Sequence, residues 1–184
     1  MLSARFLPVV SDGQSLVFPD ATFDAVICQL GLMFFPDPAR GITEFRRVLR
    51  PGRRAAACVI SLASRAPMWG VLAETLSDYL PEHTKTLQLS FSLADAAQLE
   101  RLFRAAGFSD VRLTREVRGG VIPSFDEYWA PIESGTGSLP QAYLALPDPS
   151  RRAVQAKVRE RLLRFETEGR LELDVEMLIA SGQS

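Results

Sequence analysis

Residues 23–60 read FDAVICQLGLMFFPDPARGITEFRRVLRPGRRAAACVI, and the fold is decided in this stretch. After its first two residues, Phe23–Cys28 is continuously apolar. That pattern predicts a strand covered on both faces, as in a parallel sheet, where an alternating pattern would predict one wet face. Asp37 is a good helix N-cap and Pro38 suits the first helical position. Ile42, Phe45, Val48 and Leu49 then share one face, with Glu44, Arg46 and Arg47 directed elsewhere, until Pro51-Gly52 ends the helix. Ala55–Ile60 is a second continuous apolar strand. Strand, helix and strand joined by short turns predict a βαβ crossover.

Upstream, Arg5–Val10 is expected to be a short strand closed by the turn Ser11-Asp12-Gly13. Downstream, Pro67–Tyr79 carries Trp69, Leu72 and Leu76 at helical spacing. Ser92-Leu93-Ala94-Asp95 resembles a capping box ahead of a helix bearing Leu99, Leu102 and Phe103, which Gly107 stops. Val111–Val117 alternates roughly, as a strand near a sheet edge does, and Ser124–Glu127 is another candidate capping box. The run from Gly135 to Pro149 is the most loop-like. Ser150 is expected to cap a charged helix with Val154, Val158, Leu162 and Phe165 buried. In the last strand Leu171, Leu173, Val175, Met177 and Ile179 face one way and Glu172, Asp174 and Glu176 the other.

Hydrophobic residues make up 47% of the 184 positions, enough for a packed core. The 21 Lys and Arg nearly cancel the 22 Asp and Glu, which argues against a nucleic-acid or anionic-membrane binder. A single histidine, His83, excludes a His-based zinc site and a Ser-His-Asp triad, so no metal is expected. It is read as an exposed loop residue. Cys28 and Cys58 lie in apolar runs without a C-x-x-C, as buried thiols of a reducing cytoplasm do. The greasiest stretch, Ala25–Phe35, is too short to span a bilayer. Gly135-Thr136-Gly137 follows no predicted strand and opens no predicted helix, so it is not a phosphate loop.

Motifs in a fixed order carry a resemblance. They are Ser11-Asp12-Gly13, then Leu16 to Asp24 (LVFPDATFD), Gln29 to Phe35 (QLGLMFF), Arg47 to Gly52 (RVLRPG), and more loosely Ala105 to Val111 and Ile179 to Gly182. Together they resemble a class I S-adenosylmethionine-dependent methyltransferase of the quinone-biosynthesis type, across nearly the whole chain. The resemblance implies an α/β, partial Rossmann-like sheet with flanking helices, and S-adenosylmethionine as cofactor. Asp12 would accept a hydrogen bond from the adenine amino group, Gly13 would offer a backbone amide, and Gln29 would stand at a strand end facing the cofactor crevice. Asp24 is read as structural. Met33, Phe34, Phe35, Met68, Trp69 and Trp129 are candidates for an apolar acceptor pocket, against the plainer reading of aromatics at helical spacing as core.

The family's glycine-rich cofactor loop, expected upstream of Asp12, does not occur, and Arg53 stands where the family usually has a second glycine. The expectation is therefore an N-terminally truncated single domain holding strands three to seven of a sheet ordered 3-2-1-4-5-7-6. Residues 1–62 form its cofactor side, and residues 63–184 the C-terminal part with helical acceptor-side insertions. Without the first two strands, the strand at 23–28 becomes an open apolar edge, a pairing hazard for a homodimer or partner chain. The implied function is methyl transfer to a small apolar acceptor in the cytoplasm. The alternative is an inactive methyltransferase-like remnant or subunit needing a partner chain.

Overall fold

The computed structural model describes residues 6–184. In chain order the strands are β1 (Phe23–Gln29), β2 (Leu49–Ile60), β3 (Ser109–Ile122), β4 (Glu166–Thr167) and β5 (Arg170–Gln183). The helices are α1 (Pro38–Val48), α2 (Pro67–Tyr79), α3 (Thr84–Leu87), α4 (Ala96–Ala105), α5 (Phe125–Glu133), α6 (Ser138–Leu144) and α7 (Asp148–Leu162). The sheet runs β1-β2-β5-β3, with β4 paired on β5. β1 and β2 are parallel, joined by α1 as the crossover pattern requires, while β5 is antiparallel to both β2 and β3. The last strand therefore lies between the second and the third. A mixed sheet with flanking helices is the α/β class that the resemblance implies.

Local signals act where the sequence places them. Asp37 caps α1 by accepting the Arg40 amide at 3.0 Å, and Pro38 occupies the first turn. Ile42, Phe45 and Val48 are buried, and they pack in one core with Leu99 and Phe103 of α4 and Leu178 and Ala180 of β5. A second cluster gathers α2, α5, α6 and α7 around Leu171 and Leu173 at the other end of β5. β5 is exposed on one face up to Asp174, then buried on one face and half-buried on the other from Glu176 onward, where β2 and β3 flank it together. The alternation read from sequence covers only its first half.

Several elements differ from expectation. Arg5 lies outside the described residues, and Phe6–Val10 form no strand; Phe6, Leu7, Val9 and Val10 are exposed. Their apolar character is a strand signal without a partner: among the described residues no neighbouring strand accepts their backbone groups. α1 ends at Val48, and β2 passes straight through Pro51-Gly52 as an irregularity in its register with β1, with Gly52 at φ +75°. Asp95, not Ser92, caps α4 by accepting the Ala97 amide at 2.9 Å. α7 begins at Asp148, so Ser150 sits inside it, and the 135–149 run contains α6. β3 is an edge strand as its alternation suggests, and longer than read, because the glycines at 119 and 120 continue it.

Arg47 ties the N-terminal segment to α1. Its guanidinium donates to Glu44 (2.7 and 2.8 Å), to Asp20 (2.7 Å) and to the carbonyls of Leu16 and Phe18 (3.0 and 2.9 Å). Glu44 in turn accepts the Leu16 amide, and the Arg47 contact holds its carboxyl below the usual range. Asp24 pairs with Arg50 and Arg53 at the surface, a structural role that fixes β1 on the irregular start of β2. Among the described residues no helix is long and apolar enough to cross a membrane.

Candidate functional site

The loops that leave the carboxyl ends of β1 and β2 build the site, the position where open α/β sheets bind ligands. After Gln29, Leu30 takes a left-handed conformation at φ +53°, held by its amide donating to the Cys58 carbonyl at 2.9 Å. A branched side chain in that region costs about 1 kcal/mol, and such strain concentrates where a loop must be aimed. The turn Leu32–Phe34 follows. Ser92 Oγ donates to the Met33 carbonyl at 2.8 Å, so the turn is tethered and Phe34 is left facing outward.

After β2, the chain turns through Ser61 and Ala63–Arg65 into α2. Glu176, only 8% exposed, anchors that turn. It accepts from Ser61 Oγ (2.6 Å), Arg65 (2.9 Å) and Arg115 (3.2 Å). The serine hydroxyl, then the arginines, hold its carboxyl below the usual range against the opposing effect of burial. Tyr128 of α5 donates to the Met68 carbonyl at 3.0 Å and fastens α5 across the start of α2. Burial pushes its phenol well above the ordinary value, so it stays a neutral donor.

Between these elements lies a cleft of about 390 Å³. Its walls are Phe34 from the β1 loop, Met68, Trp69 and Leu72 from α2, Ile122 from β3, and Tyr128, Pro131 and Ile132 from α5. Thr136 to Pro140, entering α6, complete it, with Glu127 and Ser90 as polar groups on its boundary. The volume and the largely apolar lining, with three aromatic rings at Phe34, Trp69 and Tyr128, suit a small, flat, apolar ligand.

Of the residues singled out in the sequence, Phe34, Met68 and Trp69 meet in this cleft. Met33 is buried in the core, and Phe35 packs on Phe45 with ring centroids 6.2 Å apart. Trp129 is also core: it stacks on Phe125 at 5.5 Å and donates from Nε1 to Glu133 at 2.8 Å. Periodicity could not separate Trp129 from Tyr128, its neighbour on the same helix, because only packing on α2 decides which of the two faces the cleft. Gly135-Thr136-Gly137 does open a helix, α6, contrary to the sequence reading; it forms cleft wall.

Asp12 is exposed and closes its own turn, accepting the Gln14 amide on Oδ1 at 2.9 Å; Oδ2 has no partner among the described residues. A Cβ at Gly13 would stand 2.3 Å from the tip of the Phe35 ring, so the ring packs directly on this glycine and would have to turn aside for a larger residue. Its amide has no acceptor among the described residues. A free carboxylate oxygen beside a free amide fits the donor and acceptor edge of an adenine. Gln29 is exposed at the end of β1, ahead of the strained Leu30. Cys28 and Cys58 are free, half-buried thiols, raised in pKa chiefly by burial. His83 is exposed, 3.6 Å from Glu82.

A family model described as a methyltransferase domain matches residues 3–57, the βαβ stretch and the turn before it. The demethylmenaquinone methyltransferase of Corynebacterium kroppenstedtii is 32% identical over 130 residues, covering 64% of this chain and 56% of that protein. Over these residues the chain is similar to S-adenosylmethionine-dependent methyltransferases. The demethylmenaquinone methyltransferase of Staphylococcus saprophyticus is 30% identical over 128 residues, covering 61% of this chain and 53% of its own. The chain thus spans just over half the length of these curated relatives. Among solved structures, YcgJ from Bacillus subtilis superposes with a TM-score of 0.51 at 18% identity, covering 95% of this chain and 69% of its own. A methyltransferase candidate from an antibiotic biosynthesis pathway of Anabaena variabilis gives 0.54 at 12% identity, covering 93% and 71%. At such identities the likeness is one of methyltransferase fold.

Proposed function

We propose that this chain takes part in methyl transfer from S-adenosylmethionine to a small, apolar, aromatic acceptor in the cytoplasm, as a single methyltransferase-like domain. Residues 1–62 would serve the cofactor side and residues 63–184 the acceptor side. The observation that carries this reading is the aromatic cleft between the segments that leave β1 and β2, with Phe34 from one and Met68 and Trp69 from the other. The name shared by the curated relatives, demethylmenaquinone methyltransferase, supports a quinone-type acceptor.

Asp12, Gly13 and Gln29 would hold the cofactor, which supplies a methyl group already activated on a sulfonium. The chain's own work is then positioning and exclusion of water. Trp69, Phe34 and Tyr128 would sandwich a flat ring, and Leu72 and Ile132 would keep the cleft dry. No acid–base triad is needed for an in-line displacement of this kind.

Calorimetric titration with S-adenosylhomocysteine tests the cofactor half. Saturable binding with a Kd on the order of micromolar is expected, weakened about tenfold in Asp12→Ala, which loses one charge-assisted hydrogen bond. Absence of heat at near-millimolar ligand overturns the proposal for this chain on its own.

We infer in addition that the free edge of β1 pairs with a strand of another polypeptide, a second copy of this chain in the first instance. Among the described residues β1 is hydrogen-bonded on one side only, Ile27 is 76% exposed, and Phe18, Phe23, Val26 and Phe45 border an apolar groove of about 290 Å³ along it. Antiparallel pairing of two β1 strands about Val26 would set Ala25 against Ile27, with the Asp24 charge already neutralised by Arg50 and Arg53. Light scattering after gel filtration should give twice the chain mass, falling to the monomer in Ile27→Lys, since a charge on an edge strand blocks pairing. A monomeric parent protein would rule this out.

A further inference from the structure

Among the described residues that line the cleft between α2 and α5, Glu127 alone is charged. Its backbone is fixed from both sides. Ser124 caps α5 by accepting the Glu127 amide at 3.2 Å, and the next residue, Tyr128, is held by its hydrogen bond to the Met68 carbonyl. The Glu127 carboxylate pairs with no Lys or Arg among the described residues, whereas those of Glu44, Glu100 and Glu176 each do. Arg159 of α7, which packs on the same helix, lies over the Phe125 ring instead, 5.0 Å from its centroid.

The other polar groups of the cleft are neutral, and two of them are already used. The Tyr128 hydroxyl donates to Met68, and the Thr136 hydroxyl shares a hydrogen bond with Ser134 at 3.1 Å. Ser90 and Ser138 add only hydroxyls. A ring seated against Phe34, Trp69 and Tyr128 therefore meets a single electrostatic preference. The faces of those rings are the negative part of the aromatic quadrupole, so they act in the same direction as the carboxylate.

We propose that Glu127 is a specificity-determining residue of this cleft, which favours aromatic ligands carrying a protonated amine over neutral ones and rejects rings that carry a carboxylate. The inference rests on the reading of the cleft as the acceptor site. A cationic substituent gains a charge-assisted hydrogen bond at Glu127, and an anionic one meets a like charge. Because Glu127 is exposed, the selection is severalfold and weakens as salt is added.

The test is calorimetric titration with phenol, benzyl alcohol, benzylammonium and benzoate, at low and at high salt. In the parent protein at low salt, benzylammonium should bind about three- to tenfold tighter than benzyl alcohol, and benzoate more weakly than either. The spread should narrow at high salt. Glu127→Gln should bring benzylammonium and benzoate to within about threefold of each other, and Glu127→Lys should invert their order. Asp126→Asn removes the same charge from the same turn of α5 but outside the cleft wall, and should leave the preference in place. Phenol carries no charge, so its binding should be unchanged in all three variants, which also reports an intact fold. If phenol binds but the charged rings do not differ, the inference is overturned and the acceptor reading stands. The same holds if the preference survives in Glu127→Gln or is lost equally in Asp126→Asn. If phenol does not bind, or binds equally well in Trp69→Ala, the acceptor reading itself fails and the role of Glu127 with it.

Discussion

Phe103→Ala lowers the stability of the folded chain by about 3–5 kcal/mol, the range for a large aromatic deleted from a core that cannot collapse. Phe103 is fully buried in α4 and has the largest volume of any fully buried side chain. Its ring lies 5.3 Å from Phe108, and it belongs to the cluster that includes Ile42 and Phe45 of α1 and Leu178 and Ala180 of β5. The void would therefore open where two helices meet the sheet, with rigid elements around it. Against a total stability of about 5–15 kcal/mol, the loss removes a large share. Urea unfolding should show a lower midpoint with an unchanged slope. A loss below about 1 kcal/mol would mean that α4 is not seated on the sheet as described.

Gly70→Ala is the second large effect, and it reaches the site. A Cβ at Gly70 would stand 2.1 Å from the Ala63 carbonyl oxygen and 2.7 Å from its carbon. Those atoms are backbone, in the turn that Glu176 anchors through Ser61 and Arg65, so no side chain can yield. Either the turn or α2 must move, at a cost of about 1–3 kcal/mol. Because Met68 and Trp69 precede Gly70 on the same helix, the cleft shifts with it, and phenol binding should fall by about tenfold or more. Gly169→Ala is the matched control. Nothing lies within 4 Å of a Cβ there, and only the φ of +78° is penalised, so stability drops by about 1–2 kcal/mol with phenol binding intact. Equal phenol affinity in Gly70→Ala and the parent would show that α2 does not set the cleft.

The contrast between those two glycines shows which features are legible in the sequence. Asp37, Pro38 and the stripe Ile42, Phe45 and Val48 announce α1 because capping and amphipathicity are local and periodic. The continuous apolar runs announce β1 and β2 as parallel neighbours for the same reason. Phe6–Val10 is just as apolar as those strands, yet it forms none, since a strand exists only if another strand completes its hydrogen bonds. Gly70 carries no local signal at all: it lies inside a good helix, and its necessity comes from a carbonyl seven residues earlier. Glu176 looked like the wet face of an alternating strand; it is buried where Ser61, Arg65 and Arg115 close on its carboxylate, which makes it the anchor of the turn after β2.

The aromatic-walled cleft divides in the same way. Phe34, Met68 and Trp69 were found as aromatic and thioether residues next to strand ends, but Trp129 and Tyr128 exchange places because their separation on the helix is a matter of rotation against α2. By itself the sequence determined the βαβ unit and the cap of its helix, which depend on residue type at short spacing. The tertiary structure alone decided which aromatic faces the cleft and why Gly70 must be glycine. Those outcomes depend on the approach of segments distant in the chain, where steric contact and burial act, and no short-range pattern encodes them.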